Sequence, residues 1–180
     1  TPDEQALLAK YVGWGASDLA AFLSDSPRYT WSAHERAIWD DLQTLLTPEE
    51  RQALIRSTPN AHFTYDLYRP IWAALERAGF TGGRVLEPAV GVGHAFGFMS
   101  PDVRAASTLN GVELEPITAA IAHQLYPSAR IQPVGYEQSR IARGTQDLII
   151  SNVPFGDFGV TDPQLAGAPR FLTERIHNYF

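Results

Sequence analysis

The spacing of apolar residues changes character near residue 58. Before that point the chain shows helical periodicity, with apolar side chains three or four positions apart. Ser32 and Glu35 form a capping-box pattern that marks one helix start, and Thr47-Pro48 marks another. We therefore predict a helical annex over residues 1–58. The apolar positions of its central helix are Ile38, Trp39, Leu42 and Leu45.

A further helix is predicted from Tyr65 to Ala78. Gly79 ends it, because glycine readily takes the left-handed conformation found just after helices. Pro70 either kinks this helix or marks its true start. The predicted apolar face consists of Leu67, Ile71 and Leu75.

After this helix, apolar runs typical of strands alternate with helical segments, such as Ile117–Leu125. Such alternation predicts an α/β fold with a parallel, doubly wound sheet over residues 59–180. Ligands bind at the carboxyl ends of the strands in sheets of this kind. The residues that follow each strand are therefore the candidates for a site. The predicted strands are Arg84–Leu86, Leu109–Leu114, Ala129–Val134 and Asp147–Ser151.

Composition narrows the classes of function. The 180 residues contain no cysteine, which excludes disulfides and thiolate metal sites and suits a reducing cytoplasm. The five histidines are scattered without ligand spacing, so we expect no metal site. No apolar run is long enough to cross a membrane. The net charge of -6 indicates that any DNA partner is bound mainly by parts of the protein outside this chain.

The first predicted strand runs into a loop of small residues that begins with an acid. Gly91 and Gly93 lack a Cβ, so the backbone there can approach a ligand closely. With Gly97, and with Glu113 about 20 residues on, they resemble a loose dinucleotide fingerprint. Glu87 argues against a dinucleotide, because a carboxylate beside this loop repels a pyrophosphate. It favours a cofactor with a cationic head, such as S-adenosylmethionine. The alternative is that this loop is a generic tight turn between a strand and a helix and binds no ligand.

Two further strand ends carry acids. Glu113 follows the second strand, and a carboxylate there matches the two hydroxyls of a ribose. The alternative, an acid that caps the next helix at the surface, fits Glu115 better. After the third strand, Glu137 can accept a hydrogen bond from the exocyclic amine of adenine, and Tyr136 can pack on its ring. An ordinary loop is the alternative for these two residues.

The fourth strand ends in the most specific pattern of the chain, Asn152-Val-Pro-Phe155. An asparagine carbonyl and a nearby backbone carbonyl can each accept one N–H of an exocyclic amine, which raises electron density on its nitrogen. Positioning of the amine against the methyl donor then supplies most of the remaining rate enhancement. Phe155 can stack on a flipped base. The pattern predicts methyl transfer to an amine. The alternative is a turn that ends the strand, with Phe155 in the core.

Taken in order, these motifs resemble the class I amino-methyltransferases, especially the adenine-N6 DNA methyltransferases in which a cofactor-contacting segment precedes the glycine loop. More narrowly, they are similar to the methylase region of large helicase–methylase proteins of plasmids, phages and integrative elements. The resemblance covers residues 11–180. It is carried by Tyr11-Val-Gly-Trp-Gly15, Asn60-Ala-His-Phe-Thr64, Leu86-Glu-Pro-Ala-Val-Gly-Val-Gly-His94, Gly111-Val-Glu-Leu-Glu115 and Asn152-Val-Pro-Phe-Gly156.

The resemblance implies a role for each matching residue. Asn152 and the Val153 carbonyl would hold the target amine, Pro154 would stiffen the tip, and Phe155 would stack on the base. Val153 stands where the family usually has a first proline, so the loop loses some rigidity. Contacts with S-adenosylmethionine are implied for Phe63, Thr64, Glu87, Pro88, Gly91, Gly93, Glu113, Leu114, Tyr136 and Glu137.

The resemblance also implies a sheet with more strands than the four predicted here before the chain ends at Phe180. We therefore expect a C-terminally incomplete methyltransferase domain over residues 59–180, followed in the protein by further methylase and helicase domains. Adenine N6 in DNA is the leading acceptor. One alternative is another amine, either a glutamine side chain or an RNA adenine. The other is a non-catalytic methylase-like scaffold, which Val153 and the acidic surface would suit.

Overall fold

A parallel sheet of four strands forms the centre of the computed structural model, which describes residues 1–11, 13, 31–57 and 65–152. Helices precede the sheet and connect its strands, so the fold class is mixed α/β. The elements are α1 (Pro2–Leu8), α2 (Ala33–Leu45), α3 (Pro48–Ser57), α4 (Tyr65–Arg77), β1 (Arg84–Glu87), α5 (His94–Gly97), α6 (Pro101–Ala105), β2 (Thr108–Val112), α7 (Pro116–Leu125), β3 (Arg130–Gln132), a 3-10 helix (Tyr136–Gln138) and β4 (Leu148–Ile149).

The strands lie in the order β3-β2-β1-β4, and every neighbouring pair is parallel. Val85 of β1 is paired with Leu109 on one side and with Leu148 on the other. The strand order therefore reverses at β1, which makes the carboxyl ends of β1 and β4 the point where open α/β sheets usually bind ligands. The prediction of a parallel α/β sheet is confirmed, and the arrangement is compatible with a Rossmann-like fold.

β2, β3 and β4 are shorter than the sequence predicted, whereas β1 extends one residue further, to Glu87. Backbone hydrogen bonds nevertheless continue past the assigned limits of β4, from Asp147 N to Arg84 O at 2.8 Å and from Ile150 N to Leu86 O at 3.0 Å. Differences of one or two residues at element ends are usual. In the third strand, three of the six predicted residues are paired.

The main hydrophobic core joins α4 and α5 to the sheet. Trp72 of α4 is almost fully buried, and its indole N–H donates to the backbone oxygen of Ala95 at 2.7 Å. Phe96 of α5 is fully buried and meets the ring of Tyr126 edge-on, with 5.7 Å between the ring centroids. One directional hydrogen bond and aromatic packing thus fix the elements that flank the glycine loop.

The predicted apolar face of α4 is partly wrong. Leu67 is 47% exposed, whereas Tyr68 and Trp72 are buried. Ile71 and Leu75 pack against the core as predicted. The two large aromatic side chains, four positions apart, bury more apolar area than a leucine does, and they set the rotation of the helix. Pro70 lies inside the helix, which begins five residues earlier.

The helices α2 and α3 of the N-terminal part begin where the sequence predicts. Ser32 and Glu35 form the predicted capping box of α2, and Thr47 accepts a hydrogen bond from the backbone N–H of Glu50 at the start of α3. Trp31, Trp39, Leu42 and Leu54 form a separate small core here. Leu45 is the last residue of α2 and is 75% exposed.

The predicted boundary between annex and sheet domain, at residue 58, lies outside the described residues and stays a prediction. Among the helices that are described, none has both the length and the apolar character to span a membrane.

The packing of α4 leads to a stability prediction. We expect Trp72→Ala to lower the free energy of unfolding by about 3–5 kcal/mol, because it empties a buried site and leaves the Ala95 carbonyl without its donor. Leu67→Ala on the exposed side of the same helix is the control, with an expected loss below about 0.5 kcal/mol. Urea denaturation followed by circular dichroism measures both. Equal losses would contradict this orientation of α4.

Candidate functional site

The carboxyl ends of the four strands bring together most of the acids that the sequence singled out. Glu87 is the last residue of β1, and Glu113 follows β2 directly. Glu137 lies in the 3-10 helix after β3, and Asn152 lies three residues beyond β4. Because all four strands are parallel, these residues lie along one edge of the sheet.

The glycine loop after β1 is tied to the end of β2. The backbone N–H of Val90 donates to Val112 O at 2.9 Å, and that of Gly91 donates to Glu113 Oε2 at 3.0 Å. Pro88 is buried at the start of this loop. Two hydrogen bonds therefore hold the backbone of the loop against the second strand.

Gly91 and Gly93 both have positive φ, at 54° and 88°, as a tight left-handed turn requires. At Gly93 a Cβ would also come within 2.3 Å of the ring of Tyr126. Glycine is thus needed at position 93 for packing against α7, whether or not a ligand approaches the loop.

Glu87 is the most unusual group of the site. Its side chain is 1% exposed, and neither carboxylate oxygen has a hydrogen-bond partner of normal geometry in the described part of the chain. Burial raises the pKa of Glu87 to about 8. The nearby Ser151 hydroxyl and Ala89 N–H lower this pKa, and the charge of Glu113 raises it. A charged carboxylate at this place is therefore costly unless a cation or further donors approach it.

The Tyr68 phenol, buried on α4, lies beside this carboxylate. Burial raises the pKa of Tyr68 above its usual range, the charge of Glu87 raises it further, and the backbone N–H of Asn152 lowers it. Tyr68 belongs to the same core cluster as Val85 of β1 and Ile150, the residue after β4. The sequence analysis missed it, although the aromatic pair Tyr68 and Trp72 at helical spacing was a signal for a buried face.

Glu113 accepts two backbone hydrogen bonds, from Gly91 N at 3.0 Å and from Glu115 N at 2.8 Å. Burial raises the pKa of Glu113, these N–H groups lower it, and the charge of Glu115 raises it. Each oxygen accepts one of the two bonds and keeps a lone pair for a ligand hydroxyl. Glu113 therefore orders the glycine loop, and its predicted ribose contact stays a prediction.

Glu115 caps α7, as the sequence suggested for this acid. Its carboxylate accepts hydrogen bonds from Ile117 N at 3.1 Å, from Thr118 N at 2.6 Å and from the Thr118 hydroxyl at 2.6 Å. The prediction of a surface position is wrong, because Glu115 is only 9% exposed. Two carboxylates, one of them buried, thus lie side by side at the end of β2.

The remaining predicted cofactor-binding residues differ in their exposure and hydrogen bonding. Leu114 is 72% exposed directly beside Glu113, which leaves an apolar surface at this edge of the sheet. Tyr136 and Glu137 are half-buried, and the Glu137 carboxylate accepts a hydrogen bond from its neighbour Gln138 at 3.2 Å. This local bond is compatible with the ordinary loop that the sequence left as an alternative.

Asn152 is half-buried at the end of the described residues. The other predicted residues of the target tip and of the preceding cofactor segment lie outside the described residues, and their roles stay predictions. They are Phe63, Thr64, Val153, Pro154 and Phe155.

The described residues contain no group of three or more histidines, aspartates and glutamates arranged to hold a metal ion. No protein-family model matches this chain, and no curated protein is significantly similar to it. Only the chemistry of the site therefore bears on its function.

The buried acid leads to a prediction on pH and stability. The pKa of Glu87 rises from 4.5 to about 8 on folding, so the folded chain binds more protons between these values. Its contribution to stability is therefore full below pH 4.5 and is lost as the pH rises to about 8. Each pKa unit corresponds to about 1.4 kcal/mol, so the loss is on the order of a few kcal/mol.

We expect Glu87→Gln, which cannot ionise, to have a higher free energy of unfolding than the wild type above pH 8 and a similar one near pH 5. Urea denaturation across this pH range measures the difference. Glu76→Gln removes an exposed carboxylate and serves as the control for the loss of one acid. A constant difference between Glu87→Gln and the wild type would show that Glu87 titrates normally.

Proposed function

We propose that this chain is the cofactor-binding part of an S-adenosylmethionine-dependent methyltransferase that acts on an exocyclic amine, namely N6 of adenine in DNA. One observation carries the proposal. A buried carboxylate, Glu87, ends the central strand at the point where the strand order reverses, and within residues 1–11, 13, 31–57 and 65–152 it has no hydrogen-bond partner of normal geometry. An unpaired buried acid of this kind is suited to a cationic ligand.

The charge of the site favours a cationic head over a pyrophosphate. An ammonium beside Glu87 allows the acid to ionise and form a buried ion pair, which removes the cost of leaving it uncompensated. A diphosphate would keep Glu87 protonated and would also lie near the second acid, Glu113. Binding of a cation thus releases a proton from the site, whereas binding of an anion does not.

The other residues at this edge fit the remaining parts of S-adenosylmethionine. The free lone pairs of Glu113 suit ribose hydroxyls, and the exposed Leu114 suits the face of an adenine ring. The bound cofactor supplies an electrophilic methyl group on a positively charged sulfur. Glu87 would hold the cationic head, and the glycine loop that Glu113 orders would allow the close approach of the cofactor.

The position of Asn152 supports transfer to an amine. β1 and β4 are adjacent strands, about 4.8 Å apart, and Leu86 is paired with Ile149. Asn152 therefore follows the strand next to the one that ends in Glu87. An amide carbonyl at this place can accept an N–H of the target amine and orient its lone pair, which is the main contribution required of the protein.

DNA is the acceptor that we propose on the sequence pattern that begins at Asn152. The net charge of -6 means that phosphate binding depends mainly on other parts of the protein. A second candidate is a methylase-like scaffold without activity. The hydrogen bonds from Gly91 and Glu115 to Glu113 favour it, since they give this acid a structural role without any ligand.

Calorimetric titration tests the cofactor. We expect S-adenosylmethionine to bind the wild-type chain, and Glu87→Gln to weaken binding about 10- to 100-fold, the effect of losing one charged hydrogen-bond partner. Glu76→Gln is again the matched control. Near pH 7, buffers with different ionisation enthalpies should reveal proton release. Binding of NAD in place of S-adenosylmethionine, or equal affinity in Glu87→Gln, would overturn the proposal.

The acceptor requires a separate measurement on the whole protein. We expect labelled methyl groups to appear on N6 of adenine in DNA, and Asn152→Ala to abolish this transfer while S-adenosylmethionine binding persists. Methylation of protein or RNA but not of DNA would contradict the proposed acceptor. Unchanged methylation in Asn152→Ala would remove Asn152 from the proposed mechanism.

A further inference from the structure

Ser151, directly before Asn152, carries a second unpaired polar group at the edge of the sheet that Glu87 occupies. Its Oγ atom is buried, and among the residues that the structure describes it has no hydrogen-bond partner of normal geometry. A buried hydroxyl in this state lowers the stability of the free chain. Because native proteins leave few buried polar groups unpaired, this one points to a role in binding.

The pairing of β1 with β4 brings Ser151 close to Glu87. Leu86 is paired with Ile149, and Ile150 N donates to Leu86 O at 3.0 Å. Ser151 therefore lies one residue beyond the position opposite Glu87, in a chain segment about 4.8 Å from β1. The Ser151 hydroxyl also lowers the pKa of Glu87, in agreement with this register. The two unpaired side chains thus lie together at the tips of adjacent strands.

The backbone around this pair offers few donors. Past Glu87, β1 provides no further N–H to the end of β4, because Pro88 has none. In the glycine loop that follows, Val90 N and Gly91 N already donate to groups at the end of β2. A ligand with donors of its own can therefore complete the hydrogen bonding of Glu87 and Ser151.

The chemistry of the pair selects a group with several N–H donors. An ionised Glu87 only accepts hydrogen bonds, and the Ser151 hydroxyl has two lone pairs besides its one proton. A primary ammonium carries a positive charge and three N–H groups, so it can donate to both side chains at once. A sulfonium carries the charge but no N–H, and it would leave Ser151 unpaired.

We infer that Ser151 is a further ligand-binding residue, whose hydroxyl accepts a hydrogen bond from the same primary ammonium group that the Glu87 carboxylate binds. The inference rests on the proposed function, because it takes this group to be the amino group of S-adenosylmethionine. The sulfonium and its methyl group then lie outside the pair, free to face the acceptor amine. Consecutive residues, Ser151 and Asn152, would thus serve the cofactor and the acceptor.

Three ligands test this role by calorimetric titration of the 180-residue chain. They are S-adenosylmethionine, S-adenosylhomocysteine, which keeps the ammonium but has no sulfonium, and a deaminated S-adenosylmethionine, which keeps only the sulfonium. We expect Ser151→Ala to weaken binding of the first two about tenfold or more, the effect of one hydrogen bond to a charged group. Binding of the deaminated ligand should change less than about twofold. Ser128→Ala, which removes an exposed hydroxyl, should change none of the three.

Urea denaturation of the free chain separates binding from folding. Since the Ser151 hydroxyl is unpaired without a ligand, Ser151→Ala should unfold at the same urea concentration as the wild type or at a higher one. A lower midpoint would show that the hydroxyl has a structural partner and would overturn the inference.

The titrations distinguish failure of this inference from failure of the proposed function. Equal losses for all three ligands, or no loss in Ser151→Ala when the wild type binds, would overturn the role of Ser151 and leave the proposed function in place. If the wild type binds none of the three ligands, the proposed function fails and this inference fails with it.

Discussion

Burial of the Glu87 carboxylate at the end of the central strand removes water from both of its oxygens, and no group in the described part of the chain supplies a hydrogen bond of normal geometry in its place. The folded chain therefore favours the neutral acid up to about pH 8. The same burial makes the site selective for cationic ligands, because a ligand that brings a positive charge stabilises the ionised form of Glu87. The stability of the free chain and its affinity for a cation thus depend on the same group.

The rest of the site follows from where this strand lies. β1 has β2 on one side and β4 on the other, so Glu87 has Glu113 and Asn152 as its neighbours along the edge of the sheet. Glu113 fixes the glycine loop by accepting from Gly91, and Glu115 and Thr118 extend the same hydrogen-bond network to the start of α7. Parts of the chain that are distant in sequence therefore act on one ligand edge.

Local rules predicted much of this fold. The capping box at Ser32, the alternation of strands and helices, and the placement of Glu87 at a strand end all depend on short stretches of sequence. The sequence predictions failed where tertiary packing sets which face of a helix is buried. Leu67 has helical spacing but is exposed, because the larger side chains of Tyr68 and Trp72 bury more area on the same helix. The hydrogen bond from Gln5 to the backbone oxygen of Gln124 joins residues more than a hundred positions apart, and no local pattern in the sequence encodes it.

The titration of Glu87 itself tests the central claim most directly. Its carboxyl carbon can be followed by NMR against pH in a glutamate-labelled chain, with Glu87→Gln to assign the signal. We predict a midpoint near 8 in the free chain and a much lower midpoint when S-adenosylmethionine saturates the site. A midpoint near the ordinary value of 4.5 in the free chain, or one that S-adenosylmethionine leaves unchanged, would contradict the account.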